Sequence, residues 1–333
     1  MNGRERLMAA IALEETDRTP FLPPFQGYWA LGLAGLTVQQ SIDKPELAAQ
    51  AQIDVADRCG FDGFESMWDW LSMVEALGCT VKVPETGTIP TIEPVIKSPG
   101  DLDDISIPDP YKDYRMLSSI KSTEYLRSKV KDEKLLTMTI VSPFTLVGEM
   151  RGVEELMMET FTEPSYVKDM LRLADETVTD YCDACLSTEA DMIALCEPTA
   201  SGSLISPEGF NEFSAPYMKA CSNRIKNAGK VSMIHICGDT NDRLRDIAHM
   251  GANVFSMDAM VDVALASEHI DHAILGNIDP TQTLYSGTPE GVSHEVFAII
   301  AKASKIGFIL GAGCDIAPGT PLENVEAIGR SIC

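Results

Sequence analysis

Two short segments of the sequence combine residue types that bind soft metal ions. One reads His235-Ile236-Cys237, and the other ends in Cys314. Because side chains alternate along a strand, His235 and Cys237 would point the same way if they lie on one strand. One imidazole and two thiolates leave the fourth position of a tetrahedral zinc site open, which is typical of catalytic zinc. The sequence therefore predicts a catalytic zinc site, with a buried core histidine and two core cysteines as the alternative.

Polar residues at the ends of other predicted strands are further candidates. Glu197 is predicted to act as a fourth zinc ligand in the resting state or as the base for a thiol proton. Asp258 and Asn277 are predicted to orient ligands or substrate, and Asp315, next to Cys314, to support a ligand. For each of these residues a structural hydrogen bond is the alternative.

Strand-like and helix-like segments alternate along the chain and must position these residues. Most candidate strands are short apolar runs that end in glycine, proline or a polar residue, as buried parallel strands do. They predict one (β/α)8 barrel domain over residues 1–333, with an N-terminal extension and a hairpin-like insertion at 81–97. A doubly wound open sheet is the alternative, although no Gly-x-Gly-x-x-Gly follows the first strand. The eight predicted strands are 20–25, 61–67, 135–144, 192–198, 231–238, 252–258, 273–279 and 308–314.

Helical patterns separate the strands. The spacing of apolar residues and the proline and glycine signals at the ends predict these helices. The predicted helices are 45–60, 164–186, 206–229, 240–251, 290–307 and 321–329. Cys182 and Cys185 form a Cys-x-x-Cys on the second of them, where they are predicted to be helix-face residues rather than a redox or zinc pair. Four aromatic residues near the first two strands are predicted to pack in the core or rim, with the floor of a ligand pocket as the alternative: Tyr28, Trp29, Trp68 and Trp70.

The composition limits the expected partners. The chain has 333 residues, and its 26 basic and 50 acidic side chains give a formal net charge of −24. Such a chain repels phosphate backbones and anionic membrane surfaces, so neither nucleic acid nor a membrane is an expected partner. The first residues lack the features of a secretory signal, and no apolar run reaches about 18 residues. We therefore expect a cytoplasmic protein whose cysteines are free thiols or metal ligands.

Several sequence blocks resemble the uroporphyrinogen decarboxylase superfamily, and within it the methylcobamide:coenzyme M methyltransferases. The resemblance covers nearly the whole chain. It implies that His235, Cys237 and Cys314 bind zinc, as the corresponding motif does in the methyltransferase branch. The blocks that carry it are 4–20, 197–210, 235–240, 276–280 and 311–325.

The resemblance implies transfer of a methyl group from the cobalt of a methylcobamide, carried by a corrinoid protein, to a small thiol activated by zinc. Coenzyme M is the first choice of acceptor and homocysteine the second, and the reaction could also run in reverse. The sulfonate of coenzyme M would require a cationic or amide-rich anchor, which the sequence does not identify.

Two other functions are the alternatives. A decarboxylase must hold a substrate with many carboxylates, yet residues 19–43 contain neither lysine nor arginine, and the arginine-bearing motif that follows strand one in the decarboxylases is missing. A corrinoid-docking or zinc-storage module without turnover would share the metal site, although an open coordination position favours catalysis.

Overall fold

Seven parallel strands form the central sheet, in the order in which they occur along the chain. The computed structural model describes residues 1–66, 69–83, 91–303 and 306–332, and every structural statement below refers to these residues. A separate antiparallel pair, β2 with β3, forms the two ends of the predicted insertion, and residues 84–90 between them lie outside the described ranges. The strands are β1 Gly63–Glu65, β2 Thr80–Lys82, β3 Thr91–Glu93, β4 Leu135–Val141, β5 Met192–Cys196, β6 Val231–Ile236, β7 Val254–Met257, β8 Ala273–Ile278 and β9 Phe308–Ala312.

Helices connect the strands of the sheet, and many of them begin with proline or with a capping side chain. The predicted helix at 45–60, for example, is α4, which ends where Gly60 adopts a left-handed conformation that glycine tolerates best. The helices are α1 Gly3–Ile11, α2 Gly27–Leu33, α3 Val38–Asp43, α4 Pro45–Cys59, α5 Ser72–Ala76, α6 Tyr114–Val130, α7 Pro143–Arg151, α8 Val153–Thr162, α9 Pro164–Leu186, α10 Pro207–Phe213, α11 Ala215–Asn227, α12 Leu244–Ala248, α13 Val263–His269, α14 Pro289–Lys302 and α15 Leu322–Ile332. None of the described helices is long and apolar enough to cross a bilayer.

Several sequence predictions of element bounds were wrong, and proline accounts for two of the three described first. The helix expected at 206–229 breaks into α10 and α11 around Ser214, because Pro216 has no N–H to donate to the preceding turn. The strand expected at 135–144 ends at Val141, and Pro143 begins α7. The helix expected at 240–251 is reduced to a short turn and α12.

The first predicted strand, 20–25, is reduced to a single bridge between Phe21 and Leu310 of β9. Pro20, Pro23 and Pro24 explain this correction, because proline cannot donate the hydrogen bonds of a strand ladder. The segment nevertheless reaches both edges of the sheet. The N–H of Leu22 donates to the carbonyl of Leu310 at 2.9 Å, on β9.

Asp62 attaches the same segment to the other edge of the sheet, directly before β1. Its N–H donates to the carbonyl of Phe21, and its carboxylate accepts the Phe21 N–H, both at 2.8 Å. Arg6 and Arg18 form ion pairs with this buried carboxylate. The chain therefore closes a barrel rather than leaving an open sheet, which confirms the predicted (β/α)8 class, with its first strand shortened.

The N-terminal extension closes the lower end of the barrel. Leu7 and Ala10 of α1 pack with residues from the strands of the sheet in a separate apolar cluster, which includes Leu22, Leu135 and Ile309. The opposite end, where the strands finish, carries the polar residues that the sequence analysis selected. The fold thus leaves the carboxyl ends of the strands as the open end for chemistry.

We expect Gly311→Ala to weaken the closure of the barrel. A methyl group on Gly311 of β9 would collide with the backbone carbonyl oxygen of Leu22. Such a forced fit in a packed interior costs about 1–3 kcal/mol of the free energy of unfolding, which urea denaturation would measure. The matched control is Gly32→Ala in α2, where nothing lies within 4 Å of the added carbon. Equal stability of the two variants would contradict this account of the closure.

Candidate metal centre

The structure brings His235, Cys237 and Cys314 together at the open end of the barrel. His235 lies on β6, Cys237 directly follows that strand, and Cys314 lies two residues beyond β9. Their ligand atoms all fall within 4.8 Å of one another. The His235 Nε2–Cys237 Sγ distance is 3.1 Å, and the Cys237 Sγ–Cys314 Sγ distance is 3.3 Å. One nitrogen and two sulfurs at this spacing form the donor set that zinc prefers.

Ser256 orients the His235 ring. The two residues are paired in register across β6 and β7, and His235 Nδ1 lies 3.0 Å from Ser256 Oγ. The edge of Phe25 packs against the imidazole at a centroid distance of 4.7 Å and an interplanar angle of 74°. With Nδ1 engaged by a hydroxyl, Nε2 is the nitrogen that faces the two sulfurs. The sequence analysis missed Ser256, although a serine inside the apolar run 252–258 was a signal that could have revealed it.

The two cysteine thiols influence each other's acidity. The hydrogen bond between Cys237 and Cys314 lowers the pKa of Cys314 and raises the pKa of Cys237, because one proton shared between two close sulfurs favours a single thiolate. His235 also lowers the pKa of Cys314. A divalent cation among these three side chains would hold both sulfurs as thiolates, so the donor set fits zinc chemically.

Glu197 follows β5 and is completely buried. Its Oε1 accepts hydrogen bonds from the hydroxyls of Thr145 and of Thr199, the latter at 3.1 Å, while Oε2 has no hydrogen-bond partner in the described chain. Its backbone N–H donates to the carbonyl of His235 at 2.9 Å. Burial raises the pKa of Glu197 to about 7, since desolvation disfavours the charged form. A group with these properties can exchange a proton near neutral pH.

Asp258 and Asn277 both hold the loop after β7. The Asn277 side-chain amide donates to the carbonyls of Asp258 and Val261, at 2.9 and 2.8 Å, and so uses both of its hydrogens. Asp258 Oδ1 accepts the N–H of Met260 at 3.0 Å. Neither residue lines the cavity described below, although the charge of Asp258 acts on Cys237. Their predicted roles in orienting ligands or substrate stay predictions, and their contacts match the structural alternative.

A cavity of about 360 Å³ opens above the two cysteines, within the range of small-molecule sites. Its described walls are mostly apolar and aromatic. Tyr28 and Trp70 belong to this wall, as the pocket alternative proposed, whereas Trp29 is a core residue whose indole donates to the Thr320 carbonyl. Trp68 lies outside the described residues. The lining residues are Phe25, Tyr28, Trp70, Val141, Thr145, Glu149, Cys196, Pro198, Cys237, Cys314 and Asp315.

Several polar atoms at this end of the barrel are buried without a hydrogen-bond partner among the described residues. They include the Tyr28 hydroxyl, Asp315 Oδ1 and Glu197 Oε2. Folded proteins pair nearly all buried polar groups, so a cluster of unpaired ones is a feature of ligand sites. Burial also raises the pKa of Asp315 well above its usual range.

Glu65 is a buried carboxylate at this end that the sequence analysis missed. It lies at the end of β1, and Oε1 accepts the N–H groups of Gln26 and Gly27 at 3.0 and 3.2 Å. These contacts attach the start of α2, which carries Tyr28, to the barrel. Its position near the end of the predicted strand 61–67 could have identified Glu65 as a candidate site residue from the sequence. Cys182 and Cys185 are buried on α9, as expected of helix-face residues.

The sequence profile described as "Uroporphyrinogen decarboxylase (URO-D)" matches residues 2–332. Among curated proteins, the methylcobamide:CoM methyltransferase MtbA of Methanosarcina mazei is 28% identical, with 97% of this chain and 95% of MtbA covered. MtaA of Methanosarcina barkeri, named for the same activity, is 27% identical over 98% and 96% of the two chains. A uroporphyrinogen decarboxylase of Synechococcus is 26% identical over 97% and 95%.

Solved structures support the fold. A methyltransferase from Methanosarcina mazei aligns with a TM-score of 0.89 at 24% identity, covering 99% of this chain and 98% of its own. A B12-independent methionine synthase from Shewanella aligns with a TM-score of 0.59 at 12% identity, over 94% and 95% of the two chains. The barrel architecture is therefore shared with proteins of known structure.

We expect Ser256→Ala to weaken zinc binding about tenfold, because partners that orient a metal-binding histidine contribute about 10- to 100-fold to affinity. Titration of the metal-free protein with zinc against a competing chelator would measure the change. Ser232→Ala is the matched control, since Ser232 is a buried serine of β6 whose hydroxyl has no partner in the described chain. Unchanged affinity in the Ser256 variant would show that the serine does not hold the ring.

Proposed function

Because the chain belongs to the uroporphyrinogen decarboxylase family, we propose that it acts as a zinc-dependent methyltransferase of that family. It moves a methyl group from a methylcobamide, carried by a corrinoid protein, to a small thiol such as coenzyme M. The relatives MtbA and MtaA are named for this reaction. The proposal treats the chain as one catalytic domain in the cytoplasm, with neither nucleic acid nor a membrane among its partners.

The convergence of His235, Cys237 and Cys314 beside a small-molecule cavity is the observation that carries the proposal. Three ligands from two strand ends, with the cavity on the open side, match a catalytic site better than a structural one. When bound there, zinc would lower the pKa of a substrate thiol so that the thiolate forms near neutral pH. The relatives named for methyl transfer to coenzyme M favour a thiol as the occupant of the cavity.

The transfer itself is a displacement at carbon. The thiol sulfur forms a bond to the methyl carbon while the carbon–cobalt bond breaks, and both electrons of that bond remain on cobalt. The thiol proton must leave the cavity. We propose Glu197 as its acceptor, since it lies in the chain between Cys196 and Pro198 and accepts a hydrogen bond from Thr145, three residues that line the cavity. The protein otherwise contributes positioning: His235 and the cysteines fix one end of the thiol, and the aromatic wall excludes water.

Uroporphyrinogen is a poor fit to this cavity. Its several carboxylates require cationic partners, yet no lysine, arginine or histidine is among the described lining residues. The sequence relatives include decarboxylases, but the fold is common to both activities and the side chains of the site decide between them.

Replacing either cysteine should abolish methyl transfer together with metal binding. With methylcobalamin and a small thiol, Cys237→Ala and Cys314→Ala should each lose more than about 100-fold in kcat/KM, since even the partners of metal ligands contribute about 10- to 100-fold. Thioether formation, zinc content and the circular dichroism spectrum would be measured together. Cys182→Ala, which removes a buried thiol of α9, is the control and should keep both zinc and activity. Decarboxylation of uroporphyrinogen without thiol methylation would overturn the proposal.

Glu197→Gln should separate proton transfer from metal binding. The amide keeps the size of the side chain but cannot accept a proton, and general bases typically contribute about 100-fold or more to turnover. We therefore expect kcat to fall about 100-fold while zinc content stays close to one ion per chain. Glu208→Gln, an exposed glutamate of α10, is the control. Full activity of the Glu197 variant would assign the proton to another acceptor.

A further inference from the structure

The described walls of the cavity carry acidic but no basic groups. Glu149 and Asp315 line the cavity, whereas lysine, arginine and histidine are missing from its described lining. Phe25, Tyr28 and Trp70 supply aromatic surface. The face of an aromatic ring is electronegative and attracts cations, and none of these rings carries a positive charge for an anion. The electrostatic character of the cavity therefore disfavours an anionic occupant.

The arginine whose charge acts on Tyr28 is already neutralised. Arg115 forms two hydrogen bonds of 2.6 Å to the carboxylate of Asp69 and a third, of 3.0 Å, to Glu75. A bidentate pair of this kind fixes the guanidinium to its carboxylate partner. Arg115 would have to break these hydrogen bonds before it could bind a sulfonate. No other basic side chain is among the described residues that line the cavity.

Glu149 is the lining acid that the proposed methyl transfer does not use. It lies on α7, half-buried, and its carboxylate has no hydrogen-bond or ion-pair partner among the described residues. Burial alone raises its pKa to about 7. A ligand that brings a cation or a hydrogen-bond donor to this carboxylate would offset the cost of its desolvation, whereas an acidic ligand would add to it.

We propose that the acceptor of this enzyme is a small thiol with a hydrogen-bond-donating tail, an aminothiol in first place, and that Glu149 selects it over thiols with an acidic tail. The inference rests on the proposed methyl transfer and replaces coenzyme M, whose sulfonate is an acidic tail, as the expected acceptor. The thiol group occupies the side of the cavity formed by Cys237 and Cys314, and its tail contacts Glu149. The unpaired hydroxyl of Tyr28 is available as a further hydrogen-bond group for the tail.

Three thiols that differ only in the tail test this proposal. They are 2-aminoethanethiol, 2-mercaptoethanol and 2-mercaptoethanesulfonate, which is coenzyme M. Their binding to the zinc-loaded protein would be measured by calorimetry, and their methylation by methylcobalamin turnover. In the wild type, the aminothiol should bind at least about tenfold more tightly than the sulfonate, which corresponds to about 1.4 kcal/mol. Zinc content after each titration would verify that the aminothiol has not removed the metal.

Glu149→Gln isolates the contribution of the carboxylate, because each thiol's own acidity cancels when the same thiol is compared in two variants. In this variant, the ratio of the binding affinity for 2-aminoethanethiol to that for 2-mercaptoethanol should fall about tenfold. The affinity for 2-mercaptoethanol itself should change little. Glu154→Gln, on the exposed side of α8, makes the same charge change outside the cavity lining and should leave the preference within about twofold.

The outcomes separate the two proposals. If 2-mercaptoethanesulfonate is the best-bound and best-methylated thiol, or if Glu149→Gln leaves the preference unchanged, the acceptor inference is overturned while the methyltransferase proposal stands. If no thiol is methylated but the calorimetric order and its dependence on Glu149 hold, the binding inference survives and the proposed reaction fails.

Discussion

Closure of the barrel is the constraint on which the candidate site depends. Cys237 follows β6 and Cys314 follows β9, two strands that are not neighbours in the sheet. Only a sheet that curls on itself can bring their sulfurs to 3.3 Å. The last contact of that closure is small, a single bridge between Phe21 and Leu310, supported by Asp62. The segment that makes this contact joins the first and last strands of the sheet, and the ion-paired carboxylate of Asp62 fixes it at the lower end of the barrel.

The buried carboxylates at the two ends of the barrel differ in how many of their oxygens have a partner. At the lower end, the buried carboxylate of Asp62 is fully engaged by two arginines and a backbone N–H. At the upper end, one oxygen of Glu197, one of Asp315 and the hydroxyl of Tyr28 are buried without a partner in the part of the chain that the structure describes. A buried polar group without a hydrogen-bond partner costs free energy, which a ligand that pairs it would offset. Tyr28 and Asp315 line the cavity, so a bound ligand can supply the partner that these two groups lack.

The candidate site also illustrates how one fold can support two chemistries. The relatives include methyltransferases and decarboxylases at similar identity. The side chains at the open end of this chain's barrel are two cysteines and a histidine at strand ends, an aromatic wall, and acids but no cations among the described lining residues of the cavity. The side chains at the site, and not the barrel itself, determine which substrate charge the cavity accepts.

The sequence by itself determined the periodic elements and the ligand types. Apolar runs ending in polar residues located β4 to β9, and His235, Cys237 and Cys314 were identifiable because few residue types bind zinc and because alternation along a strand aligns the first two. The position of Cys314 at the end of the last predicted strand connected it to the other two, and the resemblance to a family strengthened that connection. The helices and strands follow from local residue patterns, and the metal ligands follow from residue type. Both can therefore be recognised in a linear sequence.

Only the tertiary structure decided which neighbours complete the site. Ser256 contacts His235 through strand register, and Glu149 reaches the cavity from a helix that the sequence analysis did not recognise. Asn277, selected because it ends a strand, holds a loop instead of lining the cavity. Strand register, sheet curvature and side-chain direction decide which residues far apart in sequence come into contact. The residue spacing within a single segment does not determine any of these geometric properties.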